Sequence, residues 1–117
     1  MEITRFTRRQ INESSICSGR EGIDGTLESM QELVGGNIET VPYENIRGMV
    51  CVLNEKGKMD GMDPNRLIFG GRDFIAGDFF VAAVGPNEDG DMDIIGLNDR
   101  QEEFVMKTIG FGRFYKE

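Results

Sequence analysis

Asp24-Gly-Thr-Leu-Glu-Ser-Met-Gln-Glu-Leu-Val-Gly-Gly-Asn-Ile-Glu-Thr-Val-Pro42 is the stretch whose reading decides the fold. Asp24 or Thr26 can accept a hydrogen bond from the free amides of a first helical turn, so either serves as a helix cap. Leu27, Met30, Leu33 and Val34 recur at helical spacing and make one apolar stripe, with Glu28, Gln31 and Glu32 on the other side. Gly35 and Gly36 suit the left-handed backbone that ends a helix. Ile38 to Val41 then alternates as a strand does. A short amphipathic helix therefore turns directly into a strand.

Working outward, Glu2 to Thr7 reads as a first strand through Ile3 and Phe6, with Ile11 to Ile16 as its continuation or partner. Ser18 to Gly25 reads as a Gly-rich approach to the helix. On the other side, Met49 to Leu53 is an unbroken apolar run, expected of a strand covered on both faces. Asn54 to Gly57 is a turn, and Lys58 to Asn65 is irregular, broken by Gly61 and Pro64. Leu67 to Phe69 and Phe74 to Val84 are apolar, the second interrupted at Gly77-Asp78 as by a bulge or a bend between two strand pieces. Gly85 to Asp91 reads as a polar, acidic loop and Met92 to Leu97 as a last strand. A second helix follows, capped by Asn98 or Asp99, with Glu102 and Glu103 near its positive end and Gly110 stopping it. Phe104, Val105, Thr108 and Ile109 form its apolar side, and Phe111, Phe114 and Tyr115 make an aromatic tail expected to dock on the core. The expected fold is α+β: a single small domain over 1–117, with a mostly antiparallel or mixed sheet of five to six strands and two helices packed on it.

Composition narrows the function classes. With 38% hydrophobic and 29% charged residues, the 117-residue chain has the make-up of a soluble globular protein. No apolar run reaches the length of a membrane span, and the Met1-Glu-Ile-Thr-Arg opening lacks a signal peptide's apolar region, so cytoplasmic residence is expected. The chain has no histidine, which removes the usual general base, the Ser-His and Cys-His couples and the commonest metal ligand. Cys17 and Cys51 do not form the close pairs that zinc sites use. Cys51 reads as a buried small hydrophobe, and Met30, Met49, Met59 and Met62 as gap-filling core residues. Neither a cofactor nor a metal is expected, and the balance favours binding over catalysis. The net charge of −8 argues against direct contact with nucleic acid. Residues 1–20 depart from this: Arg5, Arg8, Arg9 and Arg20 outweigh Glu2 and Glu13 for a local +2, which leaves −10 on the remainder. Arg8 and Arg9 read as guards on a strand edge in preference to a phosphate-reaching arm.

An ordered set of segments then resembles a known family. Ile23-Asp24-Gly25-Thr26-Leu27-Glu28, Met30 to Gly36 and Ile38-Glu39 come first. Asn54-Glu55 with Gly57-Lys58, Pro64-Asn65-Arg66, and Ile75-Ala76-Gly77 leading into Phe79-Phe80 follow in order. Together they resemble domain-of-unknown-function family 3846 over roughly residues 22–100, leaving 1–21 as a basic N-terminal strand or arm and 101–117 as the C-terminal helix and tail. The arginine-rich opening and Asp63, where members carry a second proline, depart from the pattern. The resemblance implies small proteins of phages, plasmids and integrative elements of bacteria. It implies no activity and carries over no catalytic residue.

Several side chains are candidates for binding. Arg66 offers a donor fork for carboxylate or phosphate and Asn65 an amide, with Arg47, Arg72 and Arg100 as further cations for an anion pocket. The alternative is structural: Asn65 makes a local turn bond and Arg66 pairs with Asp63, Asp73 or Asp78. Glu88, Asp89, Asp91 and Asp93, with Asp60 and Asp63 nearby, imitate a row of phosphates or simply form a solvated loop. Asp91, Asp93, Gly96, Asp99 and Glu102 fall at calcium-loop positions, but Ile95 stands where an oxygen ligand is needed, so a hairpin leading into a capped helix is the better reading. The sequence thus leads to an expected acidic, non-enzymatic protein that binds and modulates a host protein, such as a defence factor. The alternative is a protein sequestering a nucleotide-like ligand in a pocket lined by Arg66 and Arg72 beside Asp78. The sequence leaves a homo-oligomer open.

Overall fold

The computed structural model describes residues 1–8, 16–43, 46–69 and 72–107, the side chains of 8 and 16–18 excepted. Its strands are β1 (Glu2–Arg8), β2 (Ile16–Gly22), β3 (Ile38–Pro42), β4 (Met49–Asn54), β5 (Pro64–Ile68), β6 (Asp73–Ala76), β7 (Phe79–Pro86) and β8 (Met92–Ile95). Its helices are α1 (Leu27–Val34) and α2 (Asp99–Val105). Six strands form one antiparallel sheet in the order β2-β1-β7-β4-β3. Strand β8 lies on the flank of β7 that β1 also uses, because Ala83 faces Met49 of β4 on one side and Ile95 of β8 on the other. Strands β5 and β6 form a separate hairpin. The chain is one α+β domain whose radius of gyration, 13.5 Å, matches the roughly 13 Å expected of a single body of this length.

Strand alternation divides the core between the two faces of the sheet. Ile3, Val52, Phe80 and Ala82 pack with Met30 and Val34 of α1. Phe6, Cys51, Phe79, Val81 and Ala83 face the other way and pack with Ile68 and Ile75 of the β5–β6 hairpin and Val105 of α2. Strand β4 is accordingly apolar on both faces, as its unbroken run predicts. Helix α1 also forms as read: Thr26 Oγ1 accepts from the Ser29 amide at 3.1 Å, and Gly35 closes the helix at φ 79°. Leu27, however, is 54% exposed. It begins the helix, one turn ahead of Met30, and only Met30 and Val34 are fully seated on the sheet.

The structure corrects several other boundaries. Ser18 to Gly22 belongs to β2, zipped along β1 from Glu2↔Gly22 to Arg8↔Ile16, because backbone pairing tolerates glycines that offer no pattern to read. Residues 9–15, including Arg9, lie outside the described residues. So do the side chains of Arg8 and Cys17, and the segment 108–117 with the aromatic tail. Pro64 and Asn65 open β5 instead of ending a loop. Gly85 is a buried strand residue of β7, where a Cβ would come within 2.7 Å of Ile95 Cδ1. Met59 is 86% exposed, since it lies in the turn after β4 and stands beside the cleft between β3 and the β5–β6 hairpin. Phe104 is 39% exposed and meets Tyr43 edge-on, ring centroids 6.2 Å apart, while Val105 is buried.

Candidate functional site

The segments Asn54–Lys58, Pro64–Arg66 and Ile75–Gly77 meet at one corner of the molecule. Asn54 Nδ2 donates to the Val34 carbonyl at 3.1 Å and its Oδ1 accepts from the Lys56 amide at 2.8 Å, tying the end of α1 to β4. Gly57 lies so close to β6 that a Cβ would stand 2.8 Å from the Ala76 carbonyl. Gly77, at φ 83°, bends the chain from the hairpin into β7. Asn65 Nδ2 donates to the carbonyls of Phe6 (3.1 Å) and Gly77 (3.0 Å), and its Oδ1 accepts from Arg66 Nη1 at 3.2 Å. A register shift between Pro64 and Arg66 breaks the alternation of β5, so both Asn65 and Arg66 are buried. The Arg66 guanidinium lies 5.3 Å from the Phe6 ring, which stacks on Phe79 at 5.0 Å. These contacts span distant strands, so the corner is an architectural junction.

The other candidate cations and acids are dispersed. Asp73 pairs with Lys58, whose ammonium lies 4.6 Å from the Phe74 ring centroid. Asp78 pairs with Arg5 at 3.7 Å, and Arg5 also reaches Glu21 at 3.4 Å. Arg72 is exposed and donates from Nε to the Phe69 carbonyl at 3.1 Å. Arg100 is exposed on α2, and Arg47 lines a different groove. Arg66 and Arg72 therefore stand in different environments, one 1% exposed and one at the surface.

The acidic turn between β7 and β8 is built around Asn87. Its Oδ1 accepts from the amides of Asp89 (2.9 Å) and Asp91 (3.0 Å), its own amide donates to the Asp91 carbonyl (2.8 Å), and Nδ2 reaches Asp93 at 3.4 Å. Gly90 supplies the left-handed residue at φ 83°. Glu88, Asp89, Asp91 and Asp93 are all exposed, and none meets a cationic side chain among the described residues. Asp60 and Asp63 do not extend this row. Antiparallel pairing of β4 with β7 sets the turn after β4 at the start of β7, the opposite end of the sheet from Asn87. The calcium-loop spacing dissolves as well: Asp93 Oδ1 accepts from the Ile94 amide at 2.8 Å and Asp99 pairs with Arg20 at 3.5 Å. Among the described residues no group of three His, Cys, Asp or Glu side chains is placed to hold a metal ion.

Elsewhere charge serves the scaffold. Arg20 reaches Glu2 and Glu102, both at 3.1 Å, and Asp99, fastening α2 to the β1–β2 hairpin. Its pKa is raised, first by the Glu2 hydrogen bond and then by Glu102. Asp24 is held down to about 2 by the nearby Ser29 hydroxyl and by the amide and hydroxyl of Thr26, which donate to it at 3.0 and 2.8 Å. The Lys58 ammonium, and then the Phe74 amide, lower the Asp73 carboxyl.

Strand β3 is flanked by two depressions that sequence reading missed. On the hairpin side a cleft of about 230 Å³ has an apolar floor of Val41, Leu53, Ile68 and Ile75, with Glu39, Glu55 and the Lys58–Asp73 pair at its rim. On the α1 side an open groove of about 450 Å³ is lined by Thr40, Pro42, Ile46, Arg47, Val50 and Val84 among others. No helix among the described residues is long and apolar enough to cross a membrane. Neither a curated protein nor a solved structure matches this chain. The family described as a domain of unknown function (DUF3846) matches residues 9–110, nearly the whole chain and every segment of the junction just described, and the chain belongs to that family.

Proposed function

We propose that this chain is a non-enzymatic binding protein that engages a basic surface of a partner protein through the acidic turn at Glu88–Asp93. One observation carries the reading: four exposed carboxylates stand on or beside a turn already ordered by Asn87, and among the described residues none meets a cationic side chain. A pre-ordered charged loop loses little freedom on docking, and its field steers oppositely charged partners. The net charge of −8 adds to that field. The family resemblance points to a phage or mobile-element origin, so the partner is a protein of the bacterial host's cytoplasm, a defence factor among the candidates. The alternative, a nucleotide-like ligand held between Arg66 and Arg72, finds less support, since Arg66 is covered by Phe6 and committed to Asn65.

Capture from host lysate tests the reading. Wild-type protein is compared with a Glu88→Gln, Asp89→Asn, Asp91→Asn, Asp93→Asn variant at low and moderate salt. A stoichiometric partner retained by the wild type, weakened by salt and lost by the variant is expected. No stoichiometric partner at either salt, or equal capture by the two proteins, overturns it.

A further inference from the structure

We infer that the edge of β3, unpaired among the described residues, is a strand-addition site for an extended peptide segment in which Lys or Arg alternates with aliphatic residues. This goes beyond the acidic turn and uses a different surface.

The backbone supplies the first part of the argument. The Tyr43 amide donates to Met49 and the Glu55 amide donates to Asn37. With the register Glu39↔Leu53 and Val41↔Cys51, the odd-numbered residues of β3 turn their backbone groups toward β4. Ile38, Thr40 and Pro42 therefore direct theirs outward. That edge presents two N–H donors, at Ile38 and Thr40, and three carbonyls, Pro42 having no N–H to give. None of these three residues takes a further partner among the described residues, and Glu39, Thr40 and Pro42 are all exposed. The opposite edge of the sheet, β2, differs: its neighbourhood is occupied by the Arg20 ion cluster with Glu2, Asp99 and Glu102.

The side chains supply the second part. A strand added to an edge projects alternate residues to the two faces of the sheet, and both faces at β3 are recessed. On the hairpin face, Val41, Leu53, Ile68 and Ile75 offer an apolar floor for a long stem. Glu39 and Glu55 stand at its rim, while Lys58 is already neutralised by Asp73. A Lys or Arg side chain fits that combination, its methylenes on the floor and its charge at the carboxylates. On the α1 face, Pro42, Ile46, Val50 and Val84 offer an apolar groove suited to Val, Leu or Ile. Charge also argues against a second copy of this chain as the occupant, since each copy carries −8.

The test uses the full chain and three fluorescein-labelled peptides: a Lys-Val alternating heptamer, its Glu-Val counterpart, and the Lys-Val peptide with its central residue replaced by proline. Only the first is expected to bind by anisotropy at moderate salt. Its binding is expected to slow hydrogen exchange at the Ile38 and Thr40 amides, while those of Glu39 and Val41 are already protected. Thr40→Pro removes an outward N–H without breaking a bond to β4. It is expected to weaken binding at least tenfold while leaving the melting temperature nearly unchanged. Glu39→Lys is expected to weaken it several-fold. The variant neutralised at 88, 89, 91 and 93 is expected to bind the peptide as the wild type does, because β8 lies three strand spacings, roughly 14 Å, from β3. Undiminished binding by Thr40→Pro, comparable binding of the Glu-Val peptide, or loss of binding only in the turn variant overturns the inference. Sedimentation showing a dimer that Thr40→Pro separates also overturns it, by assigning the edge to a second copy.

Discussion

Asn65-Arg66 and Asn87–Asp93 are both polar stretches centred on an asparagine, and the structure treats them in opposite ways. Asn65 directs its amide across the fold, to a carbonyl 59 positions away on β1 and another at the Gly77 bend. Asn87 bonds locally, to residues two, four and six positions on, within its own turn and the start of β8. The first arrangement buries a cation and joins separate segments, so it supports the fold. The second leaves its charges facing solvent and costs the fold little to change. Polarity by itself is therefore a poor marker of a binding site; the span of the hydrogen bonds is more informative.

The largest effects are expected at the junction. Asn65→Ala leaves the Phe6 and Gly77 carbonyls and an Arg66 N–H without their partner, and should cost about 2–4 kcal/mol in denaturant unfolding. Arg66→Ala should cost a similar amount, about 3 kcal/mol, through lost packing on Phe6. Near-wild-type stability in either variant would break the contrast and return Arg66 to the list of ligand-binding residues.

Smaller effects sharpen it. Asn87→Ala should cost about 1 kcal/mol and weaken partner capture, because the turn loses its internal acceptor. Thr4 tests the same idea from the opposite direction. It is buried and its hydroxyl has no hydrogen-bond partner among the described residues, so Thr4→Val should raise stability by about 1 kcal/mol. At Asp24 the expectation concerns acid. Its folded pKa of about 2 lies below the ordinary 3.8, so its contribution is complete above that ordinary value and is lost as pH falls through about 2. Asp24→Asn should lower stability above the ordinary value of 3.8 and leave it little changed below about pH 2, flattening that part of the acid-unfolding curve. Smallest of all, neutralising Glu88, Asp89 and Asp91 should alter stability by no more than about 0.5 kcal/mol in total, read from the same unfolding curves.

Much of the architecture was legible along the chain. The Thr26 cap, the helix stop at Gly35, the two-sided strand at Met49–Leu53 and the break at Gly77 each depend on neighbours a few residues away. The Asn98 cap with its reciprocal Gln101 bond is equally local. The β1–β2 hairpin was only half legible, since Ser18–Gly22 has no apolar alternation and is recruited by pairing with β1. The candidate sites were less accessible still. The exposure of Glu88–Asp93 follows from composition, but the distance of Asp60 and Asp63 from it depends on strand direction, which composition does not carry. Nothing in Pro64-Asn65-Arg66 announces that a bulge turns both polar side chains inward.

By itself, then, the sequence determined the helix caps, the strand periodicities, the absence of histidine and the acidic charge. These are properties of short-range hydrogen bonding, side-chain spacing and composition. Tertiary structure alone decided that Arg66 is interior, that the acidic groups divide between opposite ends of the sheet, and that β3 is an edge with a recess on each face. Those outcomes depend on which distant strands pair and in which register, and register is set when two separate segments bury their apolar faces together.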